Sequence, residues 1–325
     1  MRAVCVREYG PPEVLVTEEL PDPRPGAGQV VVDVAAAGVN FMDTRVRAGM
    51  FAGPGGPAPS FVPGNEVGGV VAEIGPGVDP SLEGRRVVTG TGGRGAYAER
   101  VAVSADGLVG IPEELDTGTA VALFVQGRIA IGLVRETRPA PGEHVLIEAA
   151  AGGVGSLLVQ LTKQYGTTVI AAASGERKLE LARKLGADAT VDYSQSGWAG
   201  KVRQETDDAG LDVIFDSVGG DTGRTAFGLL VGGGRFAMFG FASGSPTEVS
   251  TTEILRRGAT VIGFGGPRLL RRPEYARELE YEALREAATG RLTPIIGQRM
   301  PLERAADAHR AVEARATVGK TLLIP

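Results

Sequence analysis

Between Met1 and about Leu115 the apolar positions fall in short runs, MRAVCV, QVVVDVAAAG, GNEVGGVVAEIG, RRVVTG and AYAERVAV, with Gly and Pro punctuating the junctions. Such runs predict β-strands, and their spacing predicts a compact, mostly antiparallel, barrel-like domain. From about Ala120 the rhythm changes. Six apolar segments, HVLIEA, TTVIAA, ATVDY, DVIFDS, GRFAMFG and TVIGF, are separated by helical patterns such as ERKLELARKLG and TEILRRG. Strand and helix in alternation predict an α/β fold, a doubly wound parallel sheet of six strands. The tail reads as a long helix, EYARELEYEALREAATG, a strand from Ile295 to Met300, a second helix, LERAADAHRAVEARA, and a closing strand, KTLLIP. It returns to the texture of the first domain. The expected division is therefore 1–120 with 267–325 for the β-rich domain and 121–266 for the doubly wound one.

Composition changes this picture little. At 325 residues the chain exceeds most single cores, and 43% hydrophobic against 22% charged residues is ample to bury two. Arg2, Arg7, Glu8, Glu13 and Glu18 leave no apolar stretch at the start for a secretory core or a membrane span, so a cytoplasmic protein that engages no membrane is expected. The single cysteine, Cys5, excludes an intrachain disulfide and any cysteine-built zinc cluster. A net charge of -5 without a run of five Lys or Arg makes nucleic acid an unexpected partner.

The candidate chemistry begins at EAAAGGVGSLLVQ, a strand end that runs through small residues into an amphipathic helix. A turn that receives a dinucleotide brings backbone N–H groups and the positive end of a helix close to a pyrophosphate, and side chains there obstruct the approach. Gly152 and Gly155 occupy the second and third glycine positions of G-x-G-x-x-G, Ala150 takes the first, and Gly153 adds room. A tight strand-to-helix turn without a ligand is the plainer alternative. The next strand ends in Ala173 and Ser174 where an NAD site carries an acid, and Arg177 and Lys178 follow. A 2′-phosphate would meet a hydroxyl and cations there, which selects NADPH. The competing reading takes Arg177 and Lys178, with Glu176, as a solvated helix face.

In combination, GVNFMDTRVRAG (38–49), VPGNEVGGVVAEIGPGV (62–78), AAAGGVGSLLVQ, SGERKLELARKLGAD (174–188), DVIFDSVGG (212–220) and ARATVGKTLLIP at the end of the chain resemble the medium-chain dehydrogenase/reductase superfamily. Within it they resemble the zinc-independent, NADPH-dependent quinone oxidoreductase or zeta-crystallin-like branch. The resemblance implies a Rossmann domain beside a GroES-like catalytic domain, a cofactor in the cleft between them, and a homodimer paired through TVIGF. It implies Asn40 beside the nicotinamide and the turn Ala151, Gly152, Gly153, Val154 and Gly155 at the pyrophosphate. It implies Ser174, Lys178 and Tyr193 at the 2′-phosphate, beside the Arg177 already read there, and Ser217, Phe239, Gly240, Phe264 and Arg315 along the rest of the cofactor cleft. Asn40 also reads as a helix N-cap with Asp43, and Asp43 with Arg47 as an i,i+4 ion pair.

Zinc enzymes of the superfamily carry a histidine before the glutamate of the G-x-E motif. This chain has Gly64-Asn65-Glu66, so no metal is expected. His144 and His309 read as exposed and inert. Relatives often have tyrosines near the substrate where this chain has Arg45 and Phe51, and a threonine where it has Ile129. Phe51 cannot donate a proton and reads as pocket lining; Arg45 is a candidate partner for an enolate or hydroquinone anion. The Gly/Pro loop 52–60 that follows is a candidate cover. The leading expectation is an NADPH-dependent reductase of quinones or conjugated enones. An enoyl-thioester reductase and a non-catalytic crystallin or RNA-associated protein are the alternatives.

Overall fold

The computed structural model describes residues 1–50 and 60–325; Phe51 and the loop through Pro59 lie outside the described residues. The chain forms two compact units, Met1–Val125 with Leu284–Pro325, and Gln126–Ala283.

The first unit opens with β1 (Arg2–Val6) and β2 (Leu15–Glu19), an antiparallel pair. There follow β3 (Gln29–Val39), α1 (Phe41–Arg47), β4 (Glu66–Ile74), β5 (Arg86–Gly90), β6 (Arg100–Ser104) and β7 (Val109–Gly110). The valine-rich strands bury one common face: Val30, Val32 and Val34 of β3 join Val67 and Val71 of β4 and Val87 of β5 in the core. β-branched side chains suit this pleated, packed surface. The run LVTEE of β2 was not expected as a strand, because its charged positions mask it; pairing with β1 supplies what the pattern lacks. The helix α2 (Thr117–Thr137) follows, capped by Asp116, whose carboxylate accepts the Thr119 N–H at 3.0 Å. Its length and composition would suffice to cross a membrane, yet 78% of its apolar window is buried in protein.

The second unit alternates strand and helix: β8 (His144–Glu148), α3 (Gly155–Lys163), β9 (Thr168–Ala173), α4 (Glu176–Lys184), β10 (Ala189–Asp192), α5 (Trp198–Glu205), β11 (Leu211–Asp216), α6 (Gly220–Gly228), β12 (Leu230–Met238), α7 (Thr251–Arg257), β13 (Thr260–Gly263), α8 (Gly266–Leu270) and α9 (Pro273–Ala288). The strands lie in the order β10-β9-β8-β11-β12-β13, all parallel, with β8 and β11 side by side where the winding reverses. All six expected strands are present. Most of α9 belongs to this unit, whereas the expected boundary at 267 put it in the other. Its Glu280 pairs with Arg128 of α2 at 2.6 Å, and Glu278 pairs with Arg135 at 2.8 Å.

The chain then completes the first unit with β14 (Ile296–Pro301), α10 (Ala305–Glu313) and β15 (Lys320–Ile324). The sheet order becomes β14-β15-β3-β4-β5-β7, with β6 also pairing β3.

Two expectations fail in this unit. His309 is not exposed but fully buried on α10, its Nε2 3.0 Å from the Tyr97 hydroxyl and its ring edge-on to Tyr97. Arg47, also buried, donates to Glu313 at 2.6 Å rather than to Asp43. Asp43 instead accepts the Asn40 N–H at 2.8 Å, which is the capping arrangement expected, and the Tyr97 hydroxyl at 3.3 Å. Burial holds His309 down at about 3, with the Arg47 charge adding to it, and lifts Asp43 to about 6.

The two shifts act in opposite directions. Between pH 3 and 6.5 the unfolded chain binds a proton at residue 309 that the folded chain refuses, so the histidine's contribution to stability grows as pH rises through that window. Asp43 contributes the reverse between about pH 4 and 6. Urea unfolding of the wild type and of His309→Gln isolates the first effect. The stability gap in favour of the wild type should widen from pH 3.5 to 6.5 and be flat above it; a gap independent of pH would place His309 in a titrating environment.

Candidate functional site

Every residue expected at the cofactor in the second unit follows the carboxyl end of a parallel strand, the edge at which doubly wound sheets bind ligands. The glycine turn follows β8, Ser174 follows β9, Tyr193 follows β10, Ser217 follows β11, Phe239 and Gly240 follow β12, and Phe264 follows β13. The glycine turn and Ser217 flank the point where the strand order reverses.

The turn is shaped by one carbonyl. A Cβ on Gly155 would stand 2.3 Å from Ala149 O, and one on Gly152 3.1 Å from the same atom. Only glycine at 155 lets α3 begin so close to β8. The left-handed residue of this turn is Ala149, at φ 47°, rather than Ala150 at the first motif position. An alanine there carries strain of about 1–2 kcal/mol. Ser156 N donates to Gly152 O and Leu158 N to Val154 O, so α3 starts within the motif. The result is a backbone cradle at a helix N-terminus, with the form that a pyrophosphate requires.

Beyond β9, Lys178 Nζ donates to Ser174 Oγ at 3.4 Å. Tyr193 N donates to Ala173 O at 3.2 Å, which sets Tyr193 beside the same strand end. Arg177 is exposed. Glu176, the acid that would oppose a phosphate here, is engaged by Arg183 instead. One carboxylate remains nearby, Asp192, which accepts the Gly175 N–H at 3.1 Å. On the other side of the switch point, Phe239 N donates to Asp216 O, and a Cβ on Gly240 would meet Ser217 O at 3.2 Å. The Phe264 ring is buried, where a Cβ on Gly132 would collide with it, so this residue offers the site its backbone.

Behind both turns lies a feature the sequence reading missed. Glu148, the last residue of β8, and Asp216, the last of β11, are both fully buried. Asp216 Oδ1 accepts the N–H groups of Val218 and Gly219, at 3.1 and 2.8 Å, and Oδ2 accepts the Thr247 hydroxyl. Glu148 Oε2 accepts the Val218 N–H at 3.2 Å. Burial, then the Asp216 charge, drives the Glu148 carboxyl well above its ordinary range. Together the two side chains hold the 217–219 loop through the N–H groups of Val218 and Gly219.

In the first unit Asn40 and Arg45 follow the end of β3. Asn40 follows β3 and precedes α1; its Nδ2 donates to Glu66 Oε1 at 2.9 Å and its Oδ1 accepts from Lys320 Nζ at 2.9 Å. Lys320 is also paired with Glu66. Arg45 lies over the Phe41 ring at 4.9 Å, and its Nε is buried without a hydrogen-bond partner. Arg315 is exposed just after α10, at φ 55°. Phe51 lies outside the described residues. Among the described residues no three His, Cys, Asp or Glu side chains converge as a metal site would require.

Residues 26–113 match the GroES-like domain of alcohol dehydrogenases, and residues 153–282 match a family described as zinc-binding dehydrogenases. A quinone oxidoreductase from Pseudomonas aeruginosa is 36% identical, over 98% of this chain and 97% of its own. A 2-haloacrylate reductase from a Burkholderia species is 35% identical, over 99% and 98%. The solved structure of the Escherichia coli quinone oxidoreductase complexed with NADPH superposes with a TM-score of 0.92 at 30% identity, covering the whole of both chains. The chain belongs to the quinone oxidoreductase branch of the medium-chain dehydrogenase/reductase superfamily. Members of this superfamily pair a Rossmann sheet with a GroES-like domain, and both folds are present here.

For a member of this branch the glycine turn is the element to probe. Gly155→Ala should cost at least about 2 kcal/mol, since the clash is with backbone. Ala149→Gly should stabilise by about 0.5–1 kcal/mol, the relief of the left-handed strain less the extra entropy of an unfolded glycine. Denaturant midpoints check both; a neutral Gly155→Ala would show that the turn relaxes freely.

Proposed function

We propose that the chain is an NADPH-dependent reductase that delivers hydride to a quinone or to the β-carbon of a conjugated enone without a metal. The observation that carries this reading is the pairing of Ser174 with Lys178 beside a glycine cradle. The hydroxyl and the ammonium stand where an NAD site would place an acid. The E. coli quinone oxidoreductase complexed with NADPH supports the cofactor. The 2-haloacrylate reductase supports a conjugated acceptor.

When bound, NADPH supplies the hydride. The protein's part is placement and charge. The Ala151–Gly155 turn receives the pyrophosphate, and Ser174, Lys178, Arg177 and Tyr193 receive the 2′-phosphate. Ser217, Phe239, Gly240, Phe264 and Arg315 line the remainder, and Asn40 faces the nicotinamide. Arg45, with its buried unpartnered Nε, faces the anion that forms on the acceptor. Quinones and enones spread that charge over a conjugated system, so one guanidinium suffices where a simple ketone would need a Lewis acid or a placed proton donor. We infer a cytoplasmic homodimer as well. β13 ends the six-stranded sheet, and its outer edge has no strand beside it among the described residues. Leu255 and Leu270, on the helices either side of it in sequence, are each 82% exposed.

Steady-state rates should favour NADPH over NADH by at least about tenfold, the size of one charge-assisted hydrogen bond. Lys178→Ala should raise the KM for NADPH and leave that for NADH; equal losses would make Lys178 structural. Benzoquinones, naphthoquinones and short enones should be reduced faster than unconjugated ketones, and Arg45→Ala should slow them. Faster ketone reduction would overturn the acceptor class, and an unchanged rate would remove Arg45 from the mechanism. Light scattering at the mass of one chain would overturn the dimer.

A further inference from the structure

Lys320 and Glu66 are the most deeply buried oppositely charged pair in the first unit, 2% and 0% exposed, and no role has yet been given to them. Three neighbouring strands bring them to Asn40. β15 runs antiparallel to β3 with Thr321 opposite Val39, so Lys320, one residue earlier, lies across from Asn40, one residue later. β4 begins at Glu66 on the other side of β3, with Val67 opposite Ala37. Room for the glutamate is made by Gly38, where a Cβ would stand 2.5 Å from Glu66 Oε1 and 2.8 Å from its Cγ. Glu66 Oε2 accepts the Val125 N–H at 3.2 Å, which ties the carboxylate down from a fourth side.

The chemistry of these partners settles the orientation of a group that is otherwise ambiguous. A carboxamide can be turned over with little change in shape. An ammonium only donates and a carboxylate only accepts, so Oδ1 must face Lys320 and Nδ2 must face Glu66. Both requirements hold in the same rotamer. Burying two charges is costly unless geometry and further hydrogen bonds compensate them; here both charged groups reach the Asn40 amide, and the Val125 N–H adds a bond to Glu66.

We propose that Lys320 and Glu66 are positioning residues that lock the Asn40 carboxamide in a single orientation, with Gly38 providing the space for the lock. The proposal rests on the reading that Asn40 faces the nicotinamide. In that reading the pair acts on hydride transfer through Asn40 rather than by touching the reactants.

The test uses the full chain, first without cofactor. In 15N-labelled wild type the Asn40 side-chain amide, assigned from its loss in Asn40→Asp, should give one dispersed pair of resonances that exchanges slowly with water. Lys320→Met should collapse that pair toward the free-amide position. Gly38→Ala, which displaces Glu66 without removing a charge, should do the same and serves if Lys320→Met does not fold. In turnover, Lys320→Met should lower kcat by roughly tenfold while the KM for NADPH changes by less than about threefold, the pattern of a contact realised in the transition state. Combined with Asn40→Ala, it should add less than about twofold, since both remove the same contact. Unchanged Asn40 resonances in both variants, or losses that multiply in the double variant, would overturn the proposal. A wild type that reduces no acceptor would refute the functional reading alone, and the amide resonances would still decide the lock.

Discussion

The carbonyl of Ala149 fixes how closely β8 and α3 approach, and much of the Rossmann unit follows from that distance. With room for no Cβ at 155 and little at 152, the chain must turn within the motif, and α3 must start with its free N–H groups beside the strand end. The cost is strain at Ala149, whose left-handed backbone is that of a residue with no glycine's freedom. Strain of this sort persists where the surroundings over-determine it. Here they do: Ala150 N donates to Ala172 O on the neighbouring strand, Gly152 N returns to Ala149 O, and the strand leading in is buried from Val145 to Glu148.

Buried charge stabilises the two units in different ways. In the Rossmann unit like groups conflict: burial and the neighbouring Asp216 push the Glu148 carboxyl upward, and Asp216 accepts the N–H groups of the 217–219 loop and the Thr247 hydroxyl. Gly223 leaves the space for this, since a Cβ there would stand 1.9 Å from the Thr247 hydroxyl. In the β-rich unit the conflict is resolved by an opposite charge, Lys320 against Glu66. Both arrangements hold a loop or side chain that the functional reading uses, and in both a glycine on an adjacent element makes the room.

The sequence was legible wherever a property repeats along the chain. Alternation of strand and helix was enough for the six-stranded sheet, and the small residues of the turn were enough for the cradle, because each is a local pattern with a local cause. That Ser174 and Lys178 lie together was legible as well, since they are four residues apart at a strand end. What was lost depends on separation. Glu66 and Lys320 are 254 residues apart, and only the register of β15 on β3 joins them. His309 sat on a helix with no sign that Tyr97, 212 residues earlier, would cover it. Arg47 had Asp43 at helical spacing, yet the Asp43 carboxylate was already taken by the Asn40 N–H, and Glu313 on α10 was the better partner. Glu148 offered one signal that went unused: an acid closing an apolar strand directly before a phosphate-type turn needs a reason to be there.

The same separation explains why Glu66 was first read only by its neighbour. With Asn65 in the histidine's place, the G-x-E motif looks like a metal site missing a ligand. The fold shows a carboxylate already balanced. Lys320 supplies a positive charge inside hydrogen-bond distance of Glu66, delivered by the protein's own last strand. A divalent ion would have to displace that ammonium and then find further ligands among asparagines, a poor exchange for zinc. Under the function proposed, the Lys320 charge sits behind the Asn40 amide, and the acceptor would have to bring its own means of spreading negative charge. In that proposal a conjugated acceptor would do this, and Arg45 would have only a delocalised anion to meet.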